Sequence, residues 1–198
     1  MEKILFVHAC VRPESRTLRL ARRVLMHLTE KNPDASVEEV NLAEEKLPVI
    51  DSWEMLEQRM KCVKDGQLDA PALKYARQFA AADTVVVAAP YWDLAFPALM
   101  KVYSEQLTVT GLTFRYSEQG MPVGLCRARR LIYVMTAGGP IRSNFGFDYW
   151  TTLCRMFFGI PQVQLFQAEN LDIVGNDVEA ILAEAMARVD EAAAQGQL

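Results

Sequence analysis

The feature that most constrains the fold is an uninterrupted apolar run, Val85 to Ala89, that ends at Pro90. Runs without polar alternation are typical of strands buried on both faces in parallel sheets between two helix layers. Proline cannot donate to a sheet ladder, so the strand stops there, and Tyr91 and Trp92 follow at once. The pattern predicts a buried strand with an aromatic loop at its carboxyl end, the edge where open α/β sheets bind ligands.

The rest of the chain alternates between strand and helix patterns. Strands are predicted at residues 3–8, 36–42, 84–89, 130–136 and 162–167, the second nearer an edge because of its glutamates. Helices are predicted from Leu18 to near Asn32, and at 53–64, 70–81, 94–109, 144–158 and 178–189. A short hairpin is predicted from residues 113–116 and 123–126, around the turn at 118–120.

Five strands separated by helices predict an α/β fold, a doubly wound five-stranded parallel sheet in the order 2-1-3-4-5 with helices on both faces. No linker, repeat or change of composition divides the chain, so residues 1–198 are expected to form one domain.

The net charge of -4 and the interspersed charges do not favour a nucleic-acid partner. No apolar run has membrane-spanning length. Four scattered cysteines without metal-ligand spacing predict reduced thiols, a cytoplasmic location and no metal.

In this topology the loops after the first, third and fourth strands meet at one edge. The first loop offers Ser15, Thr17 and free N–H groups at a helix N-terminus, near several arginines, which suits an anion. The second offers aromatic surface from Pro90 onward, and the third offers Gly138 and Gly139, which let backbone approach a planar ligand. A phosphate at one end and a flat heterocycle at the other indicate FMN. A nicotinamide dinucleotide fold is disfavoured because no GxGxxG follows the first strand.

Each of these signals has a purely structural alternative. Ser15 is equally suited to capping the first helix, and Asp93 is more readily interpreted as a helix N-cap than as a proton-transfer group. Tyr91, Trp92 and the glycine pair, taken singly, are ordinary packing and turn residues. The order of the three loops along the chain therefore carries the inference.

The segments VVAAPYWDLAFPALMKVY, GLTFRY and TAGGP, taken together, resemble the flavodoxin-like FMN-dependent NADH:quinone oxidoreductases and azoreductases over nearly the whole chain. This resemblance implies an FMN enzyme, with FAD less favoured, that uses NAD(P)H and a quinone or azo acceptor. Departures are Asp93 where the family often has Asn, Ala137 where it often has Arg, and Pro140 where a histidine often follows the glycines.

The resemblance also implies positions for the ligands. The phosphate would be held by Ser15, Arg16, Thr17 and Leu18. The isoalloxazine and ribityl groups would be lined by Tyr91, Trp92, Asp93 and Leu94, beginning at Pro90, and the pyrimidine end by Thr136, Ala137, Gly138 and Gly139. Phe114 and Phe157 would wall the substrate side, across the interface of a homodimer. The aromatic helix at 144–158 also favours a dimer, because one sheet face does not readily cover it.

Two other functions compete with this one. Residues 10–17 fit C-x5-R-[ST], the phosphate loop of low-molecular-weight phosphatases and arsenate reductases, with Cys10 as nucleophile and Arg16 as clamp. Against it, Pro13 removes an N–H, Glu14 adds negative charge, and the chain has no Asp-Pro to supply the acid. The second alternative is a flavodoxin-type electron carrier, which the mild net charge and the aromatic segments, more than such a carrier needs, make less favoured.

Overall fold

The computed structural model describes residues 1–198 and contains a five-stranded parallel sheet with an added hairpin. The strands are β1 (Lys3–His8), β2 (Ser36–Asn41), β3 (Thr84–Ala88), β4 (Phe114–Tyr116), β5 (Pro122–Gly124), β6 (Arg130–Thr136) and β7 (Gln162–Ala168). The large sheet has the order β2-β1-β3-β6-β7, and β4 pairs antiparallel with β5. Both the predicted fold class and the order 2-1-3-4-5 are confirmed, with the second strand at an edge.

The chain also forms six α-helices. They are α1 (Arg16–Lys31), α2 (Trp53–Lys64), α3 (Lys74–Ala81), α4 (Ala98–Leu107), α5 (Phe145–Leu153) and α6 (Val178–Ala194). A 3-10 turn at Pro71–Leu73 precedes α3, and a π turn at Cys154–Phe158 continues α5. Four helices have an N-cap residue whose side-chain oxygen accepts a backbone N–H of the first turn. These residues are Ser15, Ser52, Asn144 and Asp177. None of the helices combines the length and the hydropathy that crossing a bilayer requires.

The prediction of a helix from residue 94 was wrong, because α4 begins only at Ala98. Pro97 stands just before it, and the proline ring disfavours helical backbone at the preceding residue, Phe96. Asp93 is consequently not the N-cap of this helix. It lies instead in a turn with a positive φ of 49°. The residues between β3 and α4 are thus free to form a loop over the sheet edge.

The central strands bury side chains on both faces, as the apolar runs predict. On one face, residues such as Leu5, Val87 and Tyr133 pack against an aromatic layer from α3, α4 and α5. On the other face, Phe6 and Val86 pack against the apolar stripes of α1 and α6. The loops at the carboxyl ends of the strands emerge between these two helix layers. The packing of the helices on the sheet therefore determines where the loops lie.

Candidate functional site

A cavity of about 370 Å³ opens at the carboxyl edge of the sheet. Its volume lies within the range of small-molecule sites. It is lined by the loops after β1, β3 and β6, and by the segment that joins β7 to α6. The predicted cofactor residues that line it are Ser15, Arg16, Thr17, Pro90, Tyr91, Trp92, Thr136, Ala137 and Gly138. The predicted residues that do not line it are Leu18, Asp93, Leu94 and Gly139.

The first wall is the turn that leads into α1. Ser15 is buried and its Oγ accepts the N–H of Leu18 at 3.2 Å, so its own hydroxyl proton remains to be donated. The N–H groups of Arg16 and Thr17 have no carbonyl one turn earlier in the helix. No acidic residue stands in the first turn of α1, and Arg16 and Arg19 stand there instead. Since a helix N-terminus favours negative charge, these features together suit an external anion.

Thr17 is already hydrogen-bonded to a neighbouring side chain. Its Oγ1 lies 2.6 Å from Oγ1 of Thr136, and both side chains are buried. This bond uses one of the two hydroxyl protons and joins the start of α1 to the end of β6. The predicted phosphate contact of Thr17 therefore rests on its backbone N–H and on whichever proton the pair leaves free.

The second wall is the aromatic loop after β3. The Tyr91 N–H donates to the carbonyl of Thr136 at 3.0 Å, and its hydroxyl donates to the carbonyl of Ser143 at 2.7 Å. Trp92 begins a tight turn in which the Ala95 N–H donates to its carbonyl at 2.8 Å. Asp93 and Leu94, the central residues of this turn, both have positive φ. Non-glycine residues in this region are strained, and such strain concentrates at functional sites.

The third wall, after β6, owes its glycine to packing rather than to backbone freedom. A Cβ at Gly138 would overlap the carboxylate of Asp172, whereas a Cβ at Gly139 would meet nothing within 4 Å. The expected reason for the glycine pair, close approach to a planar ligand, thus does not apply to the side of Gly138 that faces Asp172. The backbone of Gly138 still lines the cavity.

The fourth wall was missed by the sequence interpretation. It consists of Leu171 and Asp172, after β7, and of Val178 and Glu179 at the start of α6. Arg16 donates to Oδ1 of Asp172 at 2.6 Å, and Arg19 forms a two-point bond to Glu179 at 2.8 and 2.7 Å. The hydrogen bond from Arg19 lowers the pKa of Glu179 below its usual range. The sequence signal that could have revealed this wall is the presence of carboxylates after β7, at the same edge of the sheet as the arginines.

The two predicted substrate residues lie elsewhere in a single chain. The rings of Phe114 and Phe157 meet edge-to-face with centroids 5.1 Å apart, and neither lines the cavity. Both belong to the region where the β4–β5 hairpin packs on the π turn, and Phe114 is buried. Their predicted role as walls of a substrate pocket remains a prediction.

Cys10 lies in the wall of the cavity but does not resemble an activated thiol. It is buried, its Sγ lies 3.9 Å from the Ala88 carbonyl, and burial raises its pKa. A nucleophilic cysteine needs the opposite shift, toward the thiolate. Arg16, the clamp of that alternative, is engaged with Asp172. The geometry therefore argues against the phosphatase interpretation.

The fold is that of a flavodoxin-like protein, with parallel strands and a ligand-sized cavity at their carboxyl ends. The family model described as "Flavodoxin-like fold" matches residues 2–193. The chain belongs to this family, as the sequence resemblance predicted.

Named relatives extend over the same length. An FMN-dependent NADH:quinone oxidoreductase from Coprothermobacter proteolyticus is 36% identical over 98% of this chain and 100% of its own. FMN-dependent NADH:quinone oxidoreductase 2 from Clostridium acetobutylicum is 34% identical over 98% of each chain. Among solved structures, azoreductase from Bacillus anthracis is similar with a TM-score of 0.83 and 26% identity, covering 98% of this chain and 99% of its own.

Proposed function

We propose that this chain is an FMN-dependent oxidoreductase that takes electrons from NAD(P)H and delivers them to quinones or aromatic azo compounds. The observation that carries the proposal is that the anion-binding N-terminus of α1 and the aromatic loop after β3 line the same cavity. The relatives named as FMN-dependent NADH:quinone oxidoreductases support the same activity. The azoreductase neighbour supports azo acceptors as a second substrate class.

The residues around the cavity fit FMN chemically. At one end, the Ser15 hydroxyl and the first N–H groups of α1 are donors that suit a phosphate, with arginines alongside. At the other end, Tyr91 and Trp92 supply aromatic surface, and Thr136 to Gly138 supply main-chain polar groups. We propose that these donors hold the phosphate and that the aromatic loop lines the ring system. FAD is less favoured.

The chemistry follows from what these residues bind and exclude. FMN held in this cavity would supply the hydride-transfer chemistry that links NAD(P)H to the acceptor. Trp92, Leu94 and Phe145 are exposed large apolar side chains, and the Phe145 N–H donates to the Leu94 carbonyl at 3.1 Å. We propose that this apolar border selects flat substrates. No side chain forms a covalent bond in this scheme, so Cys10→Ser should leave quinone reduction nearly unchanged.

We further propose that both substrates use the same face of the site in turn. Initial rates at several fixed quinone concentrations should then give parallel lines in a double-reciprocal plot. Intersecting lines would require both substrates to bind together and would remove the shared-face mechanism. This kinetic outcome does not affect the assignment of the cofactor.

The first test is the absorbance spectrum of the purified chain, followed by NAD(P)H consumption with a quinone. A flavin band together with acceptor-dependent oxidation of NAD(P)H is expected. A flavin band without that oxidation would favour an electron carrier. Phosphatase activity that Cys10→Ser abolishes would reverse the ranking of the functions.

Three further proposals concern assembly and context. We propose a homodimer that completes the substrate pocket with Phe114 and Phe157, and light scattering at micromolar concentration should give twice the chain mass. The aromatic helix at 144–158 supports the dimer less than expected, because Trp150 and Phe158 are fully buried and Phe145 is its only largely exposed aromatic residue.

We also propose one domain over residues 1–198, since both core layers pack on the same sheet. A cytoplasmic location is supported by four free cysteines.

A further inference from the structure

Three arginines line the cavity, and they differ in what they already bind. Arg16 is engaged with Asp172, and Arg19 is engaged with both carboxylate oxygens of Glu179. Arg12 lies in the turn before α1, is exposed, and has no carboxylate within ion-pair distance. Glu14, which also lines the cavity, likewise has no cationic partner. A phosphate would therefore enter a site in which one arginine is uncommitted.

The position of Arg16 indicates a different role. Besides Asp172 Oδ1, its guanidinium reaches the carbonyl of Leu171 at 3.2 Å. The same short segment is bonded to the loop after β6, since the Leu171 N–H donates to the Ala137 carbonyl and the Asp172 N–H to the Gly138 carbonyl at 2.8 Å. The Asp172 carboxylate also packs directly against Gly138. The Arg16 side chain thus joins the first wall to the fourth, and the fourth wall is in turn bonded to the third.

We propose that Arg12 supplies the charge that selects the phosphate of FMN, whereas Arg16 is a positioning residue that holds the β7–α6 segment against Gly138. This inference rests on the proposed function. Both side-chain hydrogen bonds of Arg16 come from Nη1, and the Asp172 carboxylate already balances its positive charge, so Arg16 attracts a phosphate dianion less than an arginine without an anionic partner does. Arg12 can approach the phosphate without giving up a partner. Its attraction to the phosphate is the part of the binding that salt screens.

The test compares FMN with riboflavin, which has the same ring system and no phosphate. Flavin fluorescence gives the dissociation constants of both ligands for the full-length chain freed of flavin. The variants are Arg12→Gln, Arg16→Gln and, as a matched control, Arg129→Gln. Arg129 is also exposed and without an ion pair, but it precedes β6 at the opposite edge of the sheet.

Arg12→Gln should weaken FMN binding about tenfold, leave riboflavin binding unchanged, and flatten the dependence of FMN affinity on sodium chloride. Arg16→Gln should weaken both ligands by a similar factor, because it loosens a wall rather than removing a phosphate contact. Arg129→Gln should match the parent for both. Thermal unfolding of each variant reports whether it is folded.

Asp172→Asn separates the two roles of Arg16 in case Arg16→Gln does not fold. Because Asp172 links Arg16 to the Gly138 loop, Asp172→Asn should weaken the binding of FMN and riboflavin alike. If Arg16 instead paired with the phosphate, this variant would free the charge of Arg16 and raise the preference for FMN over riboflavin, which would overturn the inference.

The remaining outcomes distinguish the inference from the function on which it rests. A parent that binds riboflavin as tightly as FMN would contradict the proposed phosphate site itself. A parent that prefers FMN, with an Arg12→Gln variant that keeps the whole preference, would contradict only the role of Arg12.

Discussion

The two faces of the sheet are built differently. The face covered by α3, α4 and α5 is aromatic, with Phe79, Tyr103 and Trp150 fully buried. The face covered by α1 and α6 has an aliphatic core, and charged pairs lie along the seam between those helices. Examples are the bonds from Arg23 to Asp190 at 2.6 and 2.7 Å. The aromatic face therefore depends on packing, whereas the α1/α6 seam depends partly on charge.

This difference coincides with the two ends of the cavity. The charged seam continues into Arg16 and Arg19 at the proposed phosphate end, and the aromatic layer continues into Tyr91 at the proposed ring end. Salt and pH should therefore affect the stability of the α1/α6 seam, which lies at the proposed phosphate end of the cavity. The aromatic face, at the proposed ring end, is held by close packing.

The largest expected effect tests the aromatic face. Trp150→Ala should lower the free energy of unfolding by about 3–5 kcal/mol, since it removes a large side chain from a fully buried position. Trp53→Ala is the matched control, because Trp53 is 63% exposed, and it should change stability by about 0.5 kcal/mol or less. Urea unfolding measures both. Equal effects would mean that the aromatic layer does not determine stability.

The second effect tests the buried link between α1 and β6. Thr17→Val should cost about 1–3 kcal/mol, because it leaves the hydroxyl of Thr136 buried without its 2.6 Å partner. Thr136→Val should do the same. The double variant should recover much of the loss, since neither hydroxyl is then left unpaired. Additive losses in a double-mutant cycle would show that the two hydroxyls do not act as a pair.

The third prediction concerns pH and the α1/α6 seam. Hydrogen bonds from Arg23, and then from His27, lower the pKa of Asp190 from 3.8 to about 2. A carboxyl group whose pKa is lower in the folded state stabilises the protein above its unfolded pKa, and this contribution is lost as the pH falls toward 2. Asp190→Asn should therefore destabilise the chain at pH 6, by less than Thr17→Val because the pair is partly exposed.

The same variant has a built-in control in its pH dependence. The difference in unfolding midpoint between parent and Asp190→Asn should shrink steadily between pH 4 and pH 2. A difference that stays constant over this range would mean that the contribution of Asp190 is not electrostatic. Trp150→Ala, by contrast, should show no such convergence.

The sequence predicted the features that have a local pattern and missed those that depend on distant contacts. Apolar runs such as Val85 to Ala89 predicted the strands and their order, because burial on both faces leaves a local pattern. The start of α4 was misjudged, although Pro97 was visible, because the apolar spacing after Asp93 continued a helical pattern. The fourth wall was missed because the bond from Arg16 to Asp172 joins residues 156 positions apart. The role of Gly138 depends on that same distant carboxylate.

The smallest effect concerns strain at the aromatic end of the cavity. Leu94 has a φ of 67°, where an L-residue with a side chain loses about 1–2 kcal/mol. Glycine would remove this strain but would add about 0.5–1 kcal/mol of unfolded-state entropy, so Leu94→Gly should stabilise the fold by about 0.5 kcal/mol. Leu125→Gly is the matched control, because Leu125 is a similarly exposed leucine without a positive φ, and it should destabilise. Opposite signs in urea unfolding would show that the backbone of Leu94 is strained in the parent. A loss of stability in both variants would show that contacts of the Leu94 side chain outweigh its backbone strain.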